Sequence, residues 1–488
     1  MPTQETIMPT QEEDLVTLYD QAPLDARYWV SMALIVTVSI FDYFDYFIVG
    51  YLVAILAQQW HLTFGQTSIM LLSAGVGAII GSLTWGVLAD RWGRKPLIVA
   101  AVAICALSAG LISFIPEEAW ILFSVLRFLV GFGIGAAASV IGPMTVEYTP
   151  TRYRTILSSA TVIPVSLGIL ASSLAAATLV PVIGWRGLAS VGFSPLLFGI
   201  LIAFIVPESV RWLVSRGRHE EARRVVSRAL RVSPASLPKL PGAARPGGGS
   251  PPPVSSFADL YSQPRVFWLT VIVWFAASTA NYGVFLWGPT IVALLMGVTR
   301  TDAAHLFVFV SLTGIVGRTA FSLMPQWLGR RRCGEIMGYC TAICLGAAAI
   351  FYDQVILGYP AFVALLILAA LFFDGGFSNI APYAAESFPV RLSARGVALA
   401  QAANGVGKIA GPLCLALFAG TSNLITPKAT IEAVTPAFLF LAGCGLAVGL
   451  AFSLLGIETH GKPLAMDGGN QLASPREMKV QEAVNLRT

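Results

Sequence analysis

Windows of about twenty mostly apolar residues recur along this 488-residue chain in two sets of six. That is the length a helix needs to cross a hydrocarbon layer about 30 Å thick. The first set runs over 28–57, 66–88, 96–115, 119–146, 155–180 and 187–206, the second over 264–294, 305–325, 335–352, 358–384, 396–420 and 433–456. In lipid every backbone N–H and C=O must be satisfied within the spanning element. The pattern therefore predicts an all-α polytopic membrane protein with twelve transmembrane helices in two six-helix bundles. Composition agrees, with 56% hydrophobic and 12% charged residues against roughly 25% charged in a soluble domain. The net charge of +5 does not imply a nucleic-acid partner, because Lys and Arg are scattered over short loops and build no basic stripe. Most of the six cysteines lie within apolar windows, without metal-ligand spacing, so no metal, cofactor or disulfide framework is expected.

Basic residues mark the cytosolic side of a membrane protein. Here they collect at Arg91, Arg94 and Lys95, at Arg152 and Arg154, in the Arg211–Arg245 linker, at Arg330–Arg332, and at Arg391 and Arg395. The opposite loops hold little beyond Arg186, Arg300 and Lys428. Both termini are thus expected in the cytosol, in a bacterial inner membrane. The polar, acidic start through Asp25 lacks the features of a signal peptide and is expected to be retained. The organisation reads as a cytosolic tail (1–27), a six-helix bundle (28–206), a cytosolic linker (207–263), a second six-helix bundle (264–456) and a cytosolic tail (457–488). Within the linker, Arg218–Arg231 predicts a basic helix along the membrane surface and Pro234–Pro253 an unstructured tether.

The two bundles echo each other. Glu147-Tyr-Thr-Pro-Thr-Arg152 is answered by Glu386-Ser-Phe-Pro-Val-Arg391, and W-G-R-K at 92–95 by L-G-R-R at 328–331. Parallel six-span repeats enclosing a midplane site are the plan of one large class of secondary transporter. The residues 86–96, G-V-L-A-D-R-W-G-R-K-P, resemble the G-x-L-A-D-R-x-G-R-K-P signature of the major facilitator superfamily. P-E-S-V-R-W-L at 207–213 and E-T-H-G-K at 458–462 are similar to marks of its sugar-porter-like members. F-D-Y-F-D-Y-F at 41–47 resembles the D-G-F-D motif of aromatic acid:proton symporters, with Tyr43 in place of the glycine, and N-Y-G-V-F-L-W-G-P-T at 281–290 resembles a segment of bacterial niacin transporters. The resemblance implies the superfamily's fold, transport rather than enzymatic activity, and a monomer in the bilayer.

Ionisable groups inside the spans are expensive and therefore functional candidates. Asp42 and Asp45 share one face of the first span, where each opposes the other's ionisation, so one can carry a proton at neutral pH. The alternative is a structural hydrogen bond to a neighbouring helix. Arg127 of the fourth span is a candidate partner for them in proton coupling. Lys408, in a glycine-rich part of the eleventh span, is the candidate ligand for a substrate anion, or else pairs with Asp374. Arg318 is expected to snorkel toward the cytosolic end in a structural role. Tyr43, Tyr46, Tyr282, Phe285, Trp287 and Tyr383 are candidates to clamp a flat ring, and Asn281, Asn379, Gln401 and Asn404 to bind its polar groups. Asp90, Arg91, Arg94, Glu147, Arg152, Glu386 and Arg391 form an expected gating network at the cytosolic helix ends, which in the resembled superfamily favours the outward-facing state.

No G-x-x-x-x-G-K-[ST] loop is present, so an ion gradient is the expected drive. The sequence predicts proton-coupled uptake, by alternating access, of a small organic monoanion, foremost an aromatic or heteroaromatic carboxylate such as nicotinate or a hydroxybenzoate. Proton-coupled export of an aromatic or cationic compound is the alternative, and a non-transporting receptor is the reading from another class.

Overall fold

Short polar residues start the long apolar helices. The Asp25 carboxylate caps the first span by accepting from the Tyr28 amide, and Thr63 and Gln66 form a reciprocal capping box at the start of the second. In the computed structural model of the chain, residues 11–20, 22–136, 140–149, 163–237, 257–356, 359–419 and 427–459 are described. Arg152 and the tether 238–253 lie outside these residues, and the side chains of Asp90 and Arg391 are likewise not described.

Nine helices among the described residues are long and apolar enough to cross a membrane. One of them, Pro164–Ile205, holds two passes. It breaks at Gly184; Arg186 then bonds the Ile115 carbonyl beyond the far end of the third span (Arg94–Leu111), whereas Glu208 meets the amides of Arg94 and Lys95 at the near end. The chain has gone across and come back. Trp120–Ala136 continuing at Gly142–Tyr148 supplies the fourth pass and Val390–Ala419 the eleventh. Twelve passes result, in the order the apolar windows predict. The only strands among the described residues, Val355–Ile356 and Tyr359–Pro360, make a minimal hairpin between the ninth and tenth spans.

The repeat is visible in backbone geometry. Gly93 and Gly329 adopt φ of 105° and 80°, and at each a Cβ would collide with a carboxylate, Glu208 and Glu458 respectively. Glu208 accepts from the amides of Arg94 and Lys95, at 3.0 and 3.3 Å; Glu458 accepts from those of Arg330 and Arg331, at 2.9 and 3.3 Å. Each carboxylate covers the positive N-terminus of a membrane helix.

Apolar packing joins the halves at one end only. One cluster contains Phe47, Tyr51 and Leu52 of the first span together with Tyr282, Phe285 and Leu286 of the seventh (Pro264–Met296). At Gly50 the two backbones approach so closely that a Cβ would lie 2.9 Å from the carbonyl oxygens of Phe285 and Leu286. Toward the end rich in Arg and Lys, the basic end, the clusters separate. One holds Leu34, Val38, Trp85, Met144 and Val206 of the first half, another Leu269, Val273, Met337, Ala400 and Phe452 of the second. At this end the linker helix His219–Leu230 does not offer its apolar face to lipid, as its basic sequence predicts. Ala222 and Val226 pack instead on Leu15 and Tyr19 of the helix Gln11–Asp20 and on Trp212 and Leu213.

Candidate functional site

Where the halves meet, the first span puts two consecutive rings against the seventh. Phe47 stacks on Tyr282 with ring centres 5.3 Å apart, and Tyr46 meets Tyr282 edge-on at 5.2 Å. Phe285 closes on Phe47 at 5.4 Å. Into this cluster the eleventh span brings Lys408, whose Nζ lies 5.1 Å from the Tyr46 ring centre and 5.0 Å from that of Tyr282. Such contacts partly stabilise an ammonium away from water, yet among the described residues Lys408 makes no ion pair. The buried Tyr46 hydroxyl has no hydrogen-bond partner either. Gly75 of the second span abuts both residues, leaving room for the lysine stem to pass. Along the eleventh span toward the basic end, Asn404 accepts from Ser278 at 2.7 Å and donates to the exposed Gln401 at 3.1 Å. Tyr43, half-buried, lies one turn from Tyr46 and Phe47, against Gly168 of the fifth span.

Asp374 is not available to Lys408. It takes two bonds from Arg318, at 2.7 and 3.0 Å, and a third from Asn281 at 3.1 Å. Arg318 therefore does not snorkel: its side chain is 9% exposed and held inside the bundle by a carboxylate two spans away in sequence. A desolvated pair persists only with such complete hydrogen bonding. Asn281 thereby spends its amide on this network.

In the first half the charges are arranged differently. Asp42 and Asp45 are both buried, and the Cys105 thiol of the third span lies 4.0 Å from Asp45. Asp45 thus faces into its own bundle, toward the third span. Arg127, 1% exposed, does not bond either carboxylate; it donates to the backbone carbonyls of Asp45 at 2.7 Å and Tyr46 at 3.4 Å. The guanidinium grips the very stretch of backbone that carries the ring in contact with Lys408.

Three predicted ring or polar ligands sit elsewhere. Trp287 stacks on Phe64 at 5.4 Å within the packed end, away from Lys408. Tyr383 exchanges hydrogen bonds with the backbone of Ile457, and Asn379 donates to the Arg330 carbonyl at 3.0 Å. Both residues tie helix ends together at the basic end, because a polar group in a membrane bundle is satisfied by the nearest free backbone group.

The charged motifs at the basic end pair within each half. Arg94 meets Glu147 at 3.5 Å, with Ser209 also donating to Glu147; Arg330 meets Glu386 at 2.6 Å, joined by Thr459 at 2.8 Å. Arg91 is exposed and makes no ion pair among the described residues. Among the described residues no ion pair crosses between the halves here. Glu208 and Glu458, the helix-capping carboxylates, were readable only as family marks, since nothing local in sequence links Glu208 to an amide 113 residues away.

A family model described as sugar (and other) transporter matches residues 32–466. The niacin transporter NiaP of Acinetobacter baylyi is 26% identical over 465 residues, which cover 93% of this chain and 100% of that protein. The 4-hydroxybenzoate transporter PcaK of Pseudomonas aeruginosa is 26% identical over 408 residues, covering 82% and 88%. The xylose transporter XylE from E. coli, in a partially occluded inward-open conformation, superposes with a TM-score of 0.67 at 16% identity over 90% of this chain and 100% of that one.

Proposed function

The chain belongs to the sugar (and other) transporter family, a multi-pass transporter of the major facilitator superfamily, and from that premise we propose that it takes up a small aromatic or heteroaromatic carboxylate together with a proton. The observation that carries this reading is the unpaired Lys408 ammonium between the rings of Tyr46 and Tyr282. A flat monoanion supplies what that group lacks, a carboxylate for the charge and a ring for the aromatic walls. A cationic cargo would be repelled there. The relatives named for niacin and 4-hydroxybenzoate support the same class of cargo. Tyr43, Tyr46, Tyr282 and Phe285 form the walls, while Gln401 and Asn404 face the approach from the basic end.

The proton belongs to the first half. Two buried carboxylates, Asp42 and Asp45, stand one turn apart with one guanidinium beside Asp45, so the set is neutral when one carboxylate is protonated. In the conformation described, Arg127 spends its donors on the carbonyls of Asp45 and Tyr46. Ionisation of Asp45 draws the guanidinium to its carboxylate and releases that backbone, which shifts Tyr46 against Lys408. Uptake of a lone monoanion against an inside-negative potential costs about 2.3 kcal/mol per 100 mV, and one accompanying proton cancels that cost. With the basic end in the cytosol, the parting of the apolar clusters there corresponds to an inward-facing state. The paired charges of each half then come together across the interface when the transporter turns outward.

Uptake into proteoliposomes under an imposed pH gradient tests the reading, with nicotinate, 4-hydroxybenzoate, xylose and a lipophilic amine compared. The aromatic acids are expected to accumulate. Lys408→Ala should lower their transport roughly 10- to 150-fold, the worth of one hydrogen bond to a charged group. Accumulation of xylose or the amine in their place, or an unimpaired Lys408→Ala, sinks it.

A further inference from the structure

A cavity of about 370 Å³ opens at the basic end, lined by none of the residues around Lys408. The parts of the chain that meet at its wall include the N-terminal helix with Tyr19, the first turns of span one with Arg27, Tyr28 and Ser31, and the linker helix with Val225 and Arg228. Most of its polar groups are spent. Asp25 caps Tyr28 and lies 3.6 Å from Arg231; the Tyr28 hydroxyl meets Thr149; the Tyr148 hydroxyl donates to the Pro207 carbonyl. Four donors are left over. Among the described residues the guanidiniums of Arg27 and Arg228 make no ion pair, and the hydroxyls of Tyr19 and Ser31, on side chains that line the cavity, make no hydrogen bond. Burial, the largest influence on Tyr19, pushes its phenol above the ordinary range and so keeps it a donor. Unpaired guanidiniums and hydroxyls lining one cavity suit an anion.

The cavity's position narrows the choice of anion. The first span has 34 residues, about 51 Å of helix, so its first turns lie at the edge of a hydrocarbon layer about 30 Å thick. Ile205 lines the cavity, and the neighbouring Trp29, Val30 and Phe204 are exposed and apolar, Phe204 at 85%. An occupant thus meets guanidiniums and hydroxyls at one side and a lipid-facing apolar rim at the other.

We propose that this cavity is a binding site for the phosphodiester headgroup of an anionic membrane lipid, held by Arg27 and Arg228 with Tyr19 and Ser31 as further donors. Planar guanidiniums suit phosphate oxygens. A lipid so bound fastens the N-terminal helix and the linker helix to the start of span one, the helix that also carries Asp42, Asp45 and Tyr46.

The test is native mass spectrometry of the delipidated full-length protein in detergent, titrated with phosphatidylglycerol or phosphatidylcholine. Phosphatidylglycerol adducts should survive preferentially, and Arg27→Gln with Arg228→Gln should weaken them roughly tenfold or more. Both arginines are exposed and unbonded, so the fold is expected to tolerate the change. Tyr19→Phe should weaken them roughly threefold. Arg224→Gln with Arg332→Gln, which removes two exposed charges outside the cavity, should have little effect. An equal loss from that control would reduce the preference to general charge attraction and overturn the proposal. Displacement of the lipid by an equimolar soluble ester, glycerol 3-phosphate, would overturn the assignment to lipid.

Discussion

The repeat that carries Gly93 onto Gly329 carries Asp45 of span one onto Asn281 of span seven, 236 residues later in both cases. One half therefore has an ionisable group where its twin has a neutral amide. In the second half Asn281 completes a closed set, with Arg318 and Asp374 bonding each other and the charges equal. In the first half two buried carboxylates share one helix, and the guanidinium beside Asp45 bonds the backbone. A matched pair with complete hydrogen bonding is costly to break, whereas a surplus carboxylate has no such fixed partner. Under the proposed proton coupling, two bundles of one architecture divide the labour, the second as a fixed frame and the first as the part that responds to protons.

The largest expected effect lies in the fixed frame. Asp374→Asn leaves the Arg318 charge buried without its counter-ion, a loss of about 3–5 kcal/mol. Thermal unfolding in detergent should register it as a strong destabilisation, and Arg318→Met combined with Asp374→Leu should recover most of it. Near-normal stability of the single variant would show that the second half is not locked, and the contrast between the halves would fail.

Next in size is the substitution that makes the first half copy the second, Asp45→Asn. One proton per cargo molecule is worth about 1.4 kcal/mol, a tenfold concentration ratio, for each unit of pH gradient. The variant should lose that accumulation while still exchanging labelled for unlabelled nicotinate in counterflow. Continued accumulation on a pH gradient would place the proton elsewhere.

The division between legible and illegible features follows the range of the forces involved. Hydropathy is summed over a whole window, so the spans, including the weakly apolar 390–419, could be located from sequence, as could the internal repeat. The cluster of Tyr46, Tyr282 and Lys408 was approachable because each residue is unusual within its own span. Which buried polar group meets which is decided by helix rotation and depth, to which a single sequence gives little access. The sequence predicts snorkelling for Arg318 because its carboxylate lies 56 residues away. Asn379 and Tyr383 were read as ligands because a polar residue in an apolar window looks the same whether it binds cargo or ties two helix ends. The sequence makes Arg127 a candidate partner of the span-one carboxylates; the structure gives it the backbone carbonyls of Asp45 and Tyr46, a choice that is a matter of ångströms.

The smallest expected effect sharpens the comparison at the basic end, where the halves are most alike. Glu208 and Glu458 each cap a helix N-terminus, and replacing either with Gln should cost about 1 kcal/mol at neutral pH, the usual worth of a cap. Glu208 adds a pH signature. Burial raises its carboxyl above the ordinary 4.5, and the amides of Ser209, Lys95 and Arg94 only partly offset this. The folded state therefore binds this proton more tightly than the unfolded state, and between 4.5 and the raised folded value stability falls as pH rises. The wild-type unfolding temperature should decline through that window, and the part of the decline due to this residue should vanish in Glu208→Gln. If the wild-type and Glu208→Gln profiles stay parallel from acid to neutral pH, the first half gains nothing in proton sensitivity from this site, and its response to protons rests on span one alone.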